Sequence, residues 1–308
     1  MKAMNKVTQD LINAVSSFRD NFKGAFNIRA DGQCVGRRST KNIQIQSRED
    51  GTGLLVTIAA GTMGEKVYIP VCVTRGNIDD VAYNDFYIGE GADVEIEAGC
   101  GVSTFDEGEA RHNGVHKFII GKGARVVYRE KHVGGGSGSG VRAINPVTEA
   151  ILSDGAVFEI DTVQIGGVDS TVRVTSATLG AGAKIIVRER IMTEGDERAE
   201  TDFNVILDGE DSGADLVSRS VARGKSHQIF RSSIAGRNRC AGHSACDALL
   251  SESGTVAAIP ALEASHPDAA LIHEAAIGKI AGEQILKLKT LGLTDEEAEE
   301  RIISGFLR

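Results

Sequence analysis

Tryptophan is absent from this 308-residue chain, and aromatic residues make up only 5% of it. That scarcity argues against a carbohydrate-binding groove, which relies on aromatic platforms. There are four prolines against 37 glycines, a balance of many tight turns around a core of small and β-branched side chains. Positive charge is in deficit: 34 Lys and Arg oppose 43 Asp and Glu, for a net charge of −9. An acidic chain is poorly suited to gripping nucleic-acid phosphates or an anionic membrane. No apolar run approaches the ~18 residues of a membrane span, and the opening MKAMNKVTQD lacks a signal peptide's apolar segment. The expectation is a cytoplasmic protein. The five cysteines (34, 72, 100, 240 and 246) are scattered without a C-x-x-C pair, which excludes a disulfide framework and a closed four-cysteine metal site.

What is present begins with a helical pattern. Val7, Leu11, Val15, Phe18 and Phe22 recur at spacings of three and four, with Gly24 as the stop. Beyond it the period drops to two: Ile43 and Ile45, then Val67, Ile69, Val71 and Val73, alternate with other residues as strands do. A Gly-Ala pair followed by a β-branched run then repeats at Gly91, Gly123, Gly155, Gly182 and Gly213, at intervals of 32, 32, 27 and 31 residues. Such a period marks a solenoid or a propeller. Each unit holds about two strands, too few for a propeller blade, so a parallel β-helix with one coil per repeat fits better. After Pro267, the residues Ile277, Ile280, Ala281, Gln284, Ile285 and Leu288 trace a helix face. Gly292 then ends that helix, and Thr294-x-x-Glu297 opens a second. The expected organisation is an N-terminal helix (1–24), a β-helix core (25–267) and a C-terminal helical hairpin (268–308): a mainly β protein.

Four places could carry chemistry. The glycine run at Gly134–Gly140 lacks the Lys-Ser or Lys-Thr of a P-loop and reads as a flexible loop, so no nucleotide is expected on this chain. Cys100, His112 and His116 form C-x11-H-x3-H, and Cys240, His243 and Cys246 form C-x2-H-x2-C. Spacing alone leaves both open between ordinary packing and metal ligation. On a strand, Cys240 and Cys246 would share one face and His243 would take the other. His273-Glu274 pairs an imidazole with a carboxylate, which suits borderline metals, general acid–base chemistry or simply a helix start.

The stretches C-D-A-L-L (Cys246–Leu250), P-A-L-E-A (Pro260–Ala264), H-E-A-A-I-G-K-I (His273–Ile280), E-Q-I-L (Glu283–Leu286), L-G-L-T-D-E-E-A (Leu291–Ala298) and I-I-S-G-F-L (Ile302–Leu307) occur in an order that resembles the iron–sulfur assembly scaffolds SufB and SufD. S-R-S-V-A (Ser218–Ala222) and A-G-C (Ala98–Cys100) extend the resemblance upstream. The length is most similar to the compact SufB-like proteins of archaea and anaerobes. The resemblance implies a right-handed parallel β-helix with a helical C-terminal domain, acting as a scaffold rather than an enzyme. It also implies a transient iron–sulfur cluster built at a dimer interface with a SufC-like ABC ATPase, a sulfur donor and apo-protein recipients as partners.

Residue by residue, the resemblance assigns cluster assembly to Cys246, His273 and Glu274, and sulfur acceptance to Cys100. Having both His273 and Glu274 on one chain suits a homodimer. The terminal hairpin, with Leu291, Leu293, Ile302 and Phe306, is expected to dock the ATPase while Ile280, Ile285 and Leu288 cover the body. Ile272 stands where SufB has a further glutamate, and Cys240 and His243 match no family role. Two rival expectations are a cluster-free adaptor of the ATPase and a β-helix enzyme acting on polysaccharide, the latter disfavoured by the missing Trp.

Overall fold

A computed structural model describes residues 6–19 and 22–308; residues 1–5, 20 and 21 of the expected N-terminal segment lie outside the described residues. Helix α1 (Lys6–Val15) precedes β1 (Ala25–Ala30), β2 (Gln33–Arg38), β3 (Ile43–Ser47), β4 (Gly53–Ile58), β5 (Met63–Val73), β6 (Ile78–Ile88), β7 (Asp93–Ser103), β8 (Ala110–Ile120), β9 (Arg125–Gly135) and β10 (Arg142–Ile144). The series continues as β11 (Val147–Leu152), β12 (Val157–Ile165), β13 (Ser170–Leu179), β14 (Lys184–Thr193), β15 (Arg198–Leu207), β16 (Ser212–Ala222), β17 (His227–Gly236), β18 (Cys240–Leu250), β19 (Thr255–Ala264) and β20 (Ala269–Lys279). Helices α2 (Gly282–Lys289) and α3 (Asp295–Phe306) follow.

From β4 onward the strands alternate between two sheets, and each pairs in parallel with the strand one coil later. The result is a parallel β-solenoid of about eight turns. Period-two alternation places every second side chain in the space between the sheets, where Phe86 stacks on Phe118, Phe158 meets Phe118 from the facing sheet, and Phe203 packs edge-on against Phe230.

The Gly-Ala repeat is the corner of this coil. Gly91, Gly123, Gly155 and Gly182 have φ between +63° and +67°, a left-handed conformation that glycine adopts without a Cβ penalty. The alanine after each is buried. Each glycine N–H donates to a carbonyl of the next coil, as from Gly91 to Lys122 and from Gly123 to Asp154 (2.9 Å each). At the fifth coil the pattern slips. Gly213-Ala214 lies inside β16, and Asp211 (φ +58°) with buried Ser212 takes the corner. Aspartate is among the few residues that tolerate this region.

Three expectations are corrected. The N-terminal helix stops at Val15, where Ser16 Oγ bonds back to the Ile12 carbonyl (2.8 Å). Phe18 and Phe22 leave the helix and join Phe26 and Tyr68 in an aromatic cluster. The glycine run is not a free loop. A Cβ on Gly136, Gly138 or Gly140 would lie 1.9–2.4 Å from the backbone of Thr104, Asp106 or Gly108, because the run stacks backbone to backbone on the coil below. Finally, 269–279 is strand rather than the approach to a helix. Leu271, His273, Ala275 and Ile277 satisfy a period of two, and β18 offers a full row of backbone partners that a helix would leave unpaired.

Helix α3 begins with the expected capping box at Thr294 and Glu297. Its Ile303, Phe306 and Leu307 pack on Val221 and Leu249 of the solenoid, while Arg223 pairs with Glu300 (2.6 Å). Helix α2 buries no residue, and Leu286 and Leu291 are 62% and 74% exposed. The covering role expected for Ile285 and Leu288 therefore belongs to α3. No helix among the described residues is long and apolar enough to cross a membrane.

The glycine stacking predicts the outcome of a single methyl group. Gly138→Ala should lower stability by roughly 1–3 kcal/mol in urea unfolding, the range of an overpacked buried site. A change within ~0.5 kcal/mol, normal for an exposed loop, would mean the run is not packed.

Candidate functional site

Stacked coils turn sequence positions into rows. On the inner face of the first sheet, one row runs Ala98, Glu130, Thr162, Glu189, Ser218, Cys246 and Ala275. Beside it, a second row runs Cys100, His132 and Gln164. On the other flank, Ser244 sits opposite His273. Part of the interior is therefore polar.

Arg173 of β13 reaches across from the facing sheet to hold this row together. Its guanidinium donates to Glu130 (2.8 Å) and approaches Glu189 (3.3 Å). It also donates to His132 Nδ1 (3.1 Å), which leaves the imidazole proton on Nε2, 3.4 Å from Glu130. Thr201 and Ser218 hydroxyls donate to the two oxygens of Glu189 (2.9 and 2.7 Å). Burial alone would raise the Glu130 carboxyl, but His132 and Arg173 outweigh it and hold it well below the usual carboxylate range. Buried charges of this kind are tolerated only when paired and hydrogen-bonded.

Two buried thiols adjoin these polar residues, Cys246 in the row itself and Cys100 beside it. Cys246 is fully buried, and burial, with Glu189 and Asp247 nearby, pushes its thiol up to about 12. Burial likewise holds the Cys100 thiol well above its ordinary value, with Cys72, Asp80 and Glu130 adding to the effect. Beyond Cys246 lies the last coil. His273 Nδ1 is 3.2 Å from Ser244 Oγ, which bonds Ser232 Oγ (2.8 Å). Its Nε2 is buried and has no partner. Burial, then the neighbouring His243, lower the His273 pKa and favour the neutral ring that a metal would need.

The remaining candidates are dispersed. His112 and His116 share the inner face of β8, on the sheet opposite Cys100. His112 is held by Asp80 (3.0 Å) and His116 by Asn84 (3.3 Å). Burial would raise Asp80, yet hydrogen bonds from His112 and Arg29 bring it down to about 2, while burial takes His116 down to about 4. Cys240 and Cys246 point inward, while His243 and Glu274 lie on the outer face, their nearest atoms 3.8 Å apart. Glu274 is thus turned away from Cys246 and His273. Of the hairpin residues, Leu291 is open, Leu293 and Ile302 are half-buried, and Phe306 packs on the body. Among the described residues no three His, Cys, Asp or Glu side chains converge to hold an ion.

Sequence reasoning missed Glu130, His132, Arg173 and Glu189. The available signal was a charged residue at an inward position of the two-residue alternation, visible once Glu130 and Glu189 are aligned through the Gly-Ala repeat. Thiol burial yields a direct prediction. Cys34 is exposed and the other four thiols are buried. With the disulfide reagent DTNB at pH 8, one thiol per chain should react fast, and Cys34→Ser should remove that phase. At a pKa of about 12 only about one Cys246 in ten thousand is thiolate at that pH. A second fast thiol in the native protein would contradict the closed arrangement.

Residues 80–306 match the family model described as SUF system FeS cluster assembly, SufBD core domain. Among curated relatives, the chain is 31% identical over 244 residues to an iron–sulfur cluster assembly SufBD family protein of Methanothermobacter thermautotrophicus, covering 78% of this chain and 58% of that one. A relative of the same description from Archaeoglobus fulgidus is 32% identical over 250 residues, 79% of this chain and 66% of that protein. One from Methanocaldococcus jannaschii is 24% identical over 294 residues, 92% and 90% of the two chains. The chain thus spans less than two thirds of the length of the first two relatives and nearly all of the third. With the solenoid and this match in hand, the chain belongs to the SufBD family of iron–sulfur cluster assembly proteins.

Proposed function

We propose that this chain is a scaffold on which an iron–sulfur cluster is built from supplied iron and sulfur, with Cys246 and His273 as the inner-face ligands. The observation that carries the reading is the orphaned Nε2 of His273, one strand from Cys246 and near the end of the polar row. A buried imidazole nitrogen without a partner costs stability unless something fills the place. An iron centre held by one thiolate and imidazole per chain would be weaker than one held by four thiolates, and so easier to pass on. Cys100 is the sulfur acceptor in this reading. It lies five strands from Cys246, about 24 Å at ~4.8 Å per strand. Direct exchange between the two thiols is out of reach, so sulfur accepted at Cys100 as a persulfide must be released as sulfide by a two-electron thiol reductant before it can join the cluster at Cys246.

Two features favour partners. The inward side chains of β19 and β20 are only partly covered, and the outer edge of β20 is unpaired in the sheet order. A second copy of the chain there would close the core and bring two Cys246–His273 pairs together. The buried, protonated Cys246 also requires an opening step, for which a SufC-like ABC ATPase supplies the work. With Phe306 committed to the body, the docking surface passes to α2 and the turn after it, through Leu286 and Leu291.

Anaerobic reconstitution with ferrous iron and sulfide tests the scaffold. Cys246→Ala and His273→Gln should lose the visible cluster chromophore while Cys34→Ala keeps it. An undiminished chromophore in Cys246→Ala would reject Cys246 as a ligand, and no chromophore in the wild type would favour the cluster-free adaptor. Replacing Leu286 and Leu291 with Glu should abolish co-purification with the ATPase without altering the β-rich circular dichroism spectrum, and unchanged binding would reject that surface.

A further inference from the structure

The outer face of the terminal strands carries a second constellation, separated from Cys246 and His273 by the sheet itself. His243 of β18 stands opposite Asp215 of β16, and its Nδ1 lies 2.8 Å from Asp215 Oδ1. The other Asp215 oxygen accepts from Arg188 Nη2 (2.5 Å). A carboxylate so placed accepts a hydrogen bond from Nδ1–H, fixes the tautomer and leaves the Nε2 lone pair free. That lone pair faces Glu274 Oε2 across 3.8 Å. The gap is too long for a hydrogen bond. It is close to the separation of about 3.4 Å between two donors of one tetrahedral ion at ~2.1 Å, and Glu274 is an exposed side chain with room to adjust.

We propose that His243 and Glu274 form a labile binding site for a borderline divalent metal ion, with Asp215 as the positioning residue that aims His243. Carboxylate, imidazole and metal in series is the usual arrangement around a ligating histidine. A mixed nitrogen and oxygen donor pair suits ferrous, cobaltous or zinc ions and disfavours magnesium and calcium. The face is open to solvent, so water completes the coordination shell and the ion exchanges readily. His243 thereby gains a role, and the outward turn of Glu274 becomes a functional orientation. Naming ferrous iron as the ion carried in the cell rests on the scaffold reading; binding of the metal does not. The site lies on the reverse side of the strands that carry Cys246 and His273, where arriving iron would be held before assembly.

The test is a titration of the purified full chain with Co²⁺ under nitrogen, read from the visible ligand-field bands. Wild type should bind one Co²⁺ per chain with nitrogen and oxygen ligands and no sulfur charge-transfer band. His243→Gln should weaken binding at least 100-fold, Glu274→Gln about 10-fold, and Asp215→Asn roughly 10–100-fold, as the loss of an orienting carboxylate does. Cys246→Ala should bind Co²⁺ like wild type. Equal binding by wild type and His243→Gln would show that His243 and Asp215 form only a surface ion pair and would overturn the site. So would loss of binding in Cys246→Ala, or a thiolate band in the wild-type spectrum. If Co²⁺ does not bind while Cys246-dependent clusters still form, this site fails and the scaffold reading stands. Retained Co²⁺ binding without clusters supports the site and removes its link to assembly.

Discussion

Coil-to-coil registry of the two parallel sheets is the constraint on which the rest depends. Each strand pairs residue for residue with the strand one coil away, so an inward position in one coil lies directly over an inward position in the next. Any side chain placed inside becomes a member of a row running the length of the solenoid. Apolar rows build the stacked phenylalanine core. A polar residue repeated at equivalent positions builds a packed polar row instead, and the stretch from Glu130 to Ser218 next to Cys246 is of that kind. The corner turns maintain this registry through N–H groups that bond the coil above, which is why glycine, or aspartate at Asp211, occupies them.

The polar interior is expensive. Glu130, Arg173 and Glu189 could be replaced by apolar residues of similar size with little loss, or even a gain, in stability. They lie on strands between those that carry Cys100 and Cys246 or on the facing sheet. The network is also closely satisfied: Arg173 alone binds two carboxylates and an imidazole. Two inner-face atoms lack a partner, Thr162 Oγ1 within the row and His273 Nε2 at the last coil, and of these only the imidazole nitrogen is a good metal ligand.

The two faces of the terminal sheet divide the chemistry. Inside, Cys246 is shielded and His273 partly covered, and the thiol is held protonated because burial, with Glu189 and Asp247 nearby, disfavours the thiolate. Outside, His243, Asp215 and Glu274 meet water, where exchangeable ligands can come and go. Helix α3 is fastened to the solenoid near these strands through Val221 and Arg223, while α2 stands free of it. A partner acting on α2 therefore has a short mechanical path through Ile280 to β20, the strand that carries both His273 and Glu274.

The sequence by itself determined the repeating unit, the change of period that separates helix from strand, the capping box of α3 and the family. These are local features, set by backbone preference and by alternation over a few residues, or by ordered motifs near the C-terminal end. Alternation even placed His243 opposite to Cys240 and Cys246. Tertiary structure decided what local pattern could not. It took 269–279 into the sheet because β18 needed a hydrogen-bonding partner along its whole edge. It packed the glycine run because another backbone lay against it, and it moved the fifth corner from Gly213 to Asp211. It assembled Glu130, Arg173 and Glu189 from three coils, and it parted Glu274 from His273 although they are adjacent in the chain. Neighbours in a strand face opposite sides of a sheet, whereas residues a whole coil apart touch. Proximity here follows the solenoid's pitch, and only folding establishes that pitch.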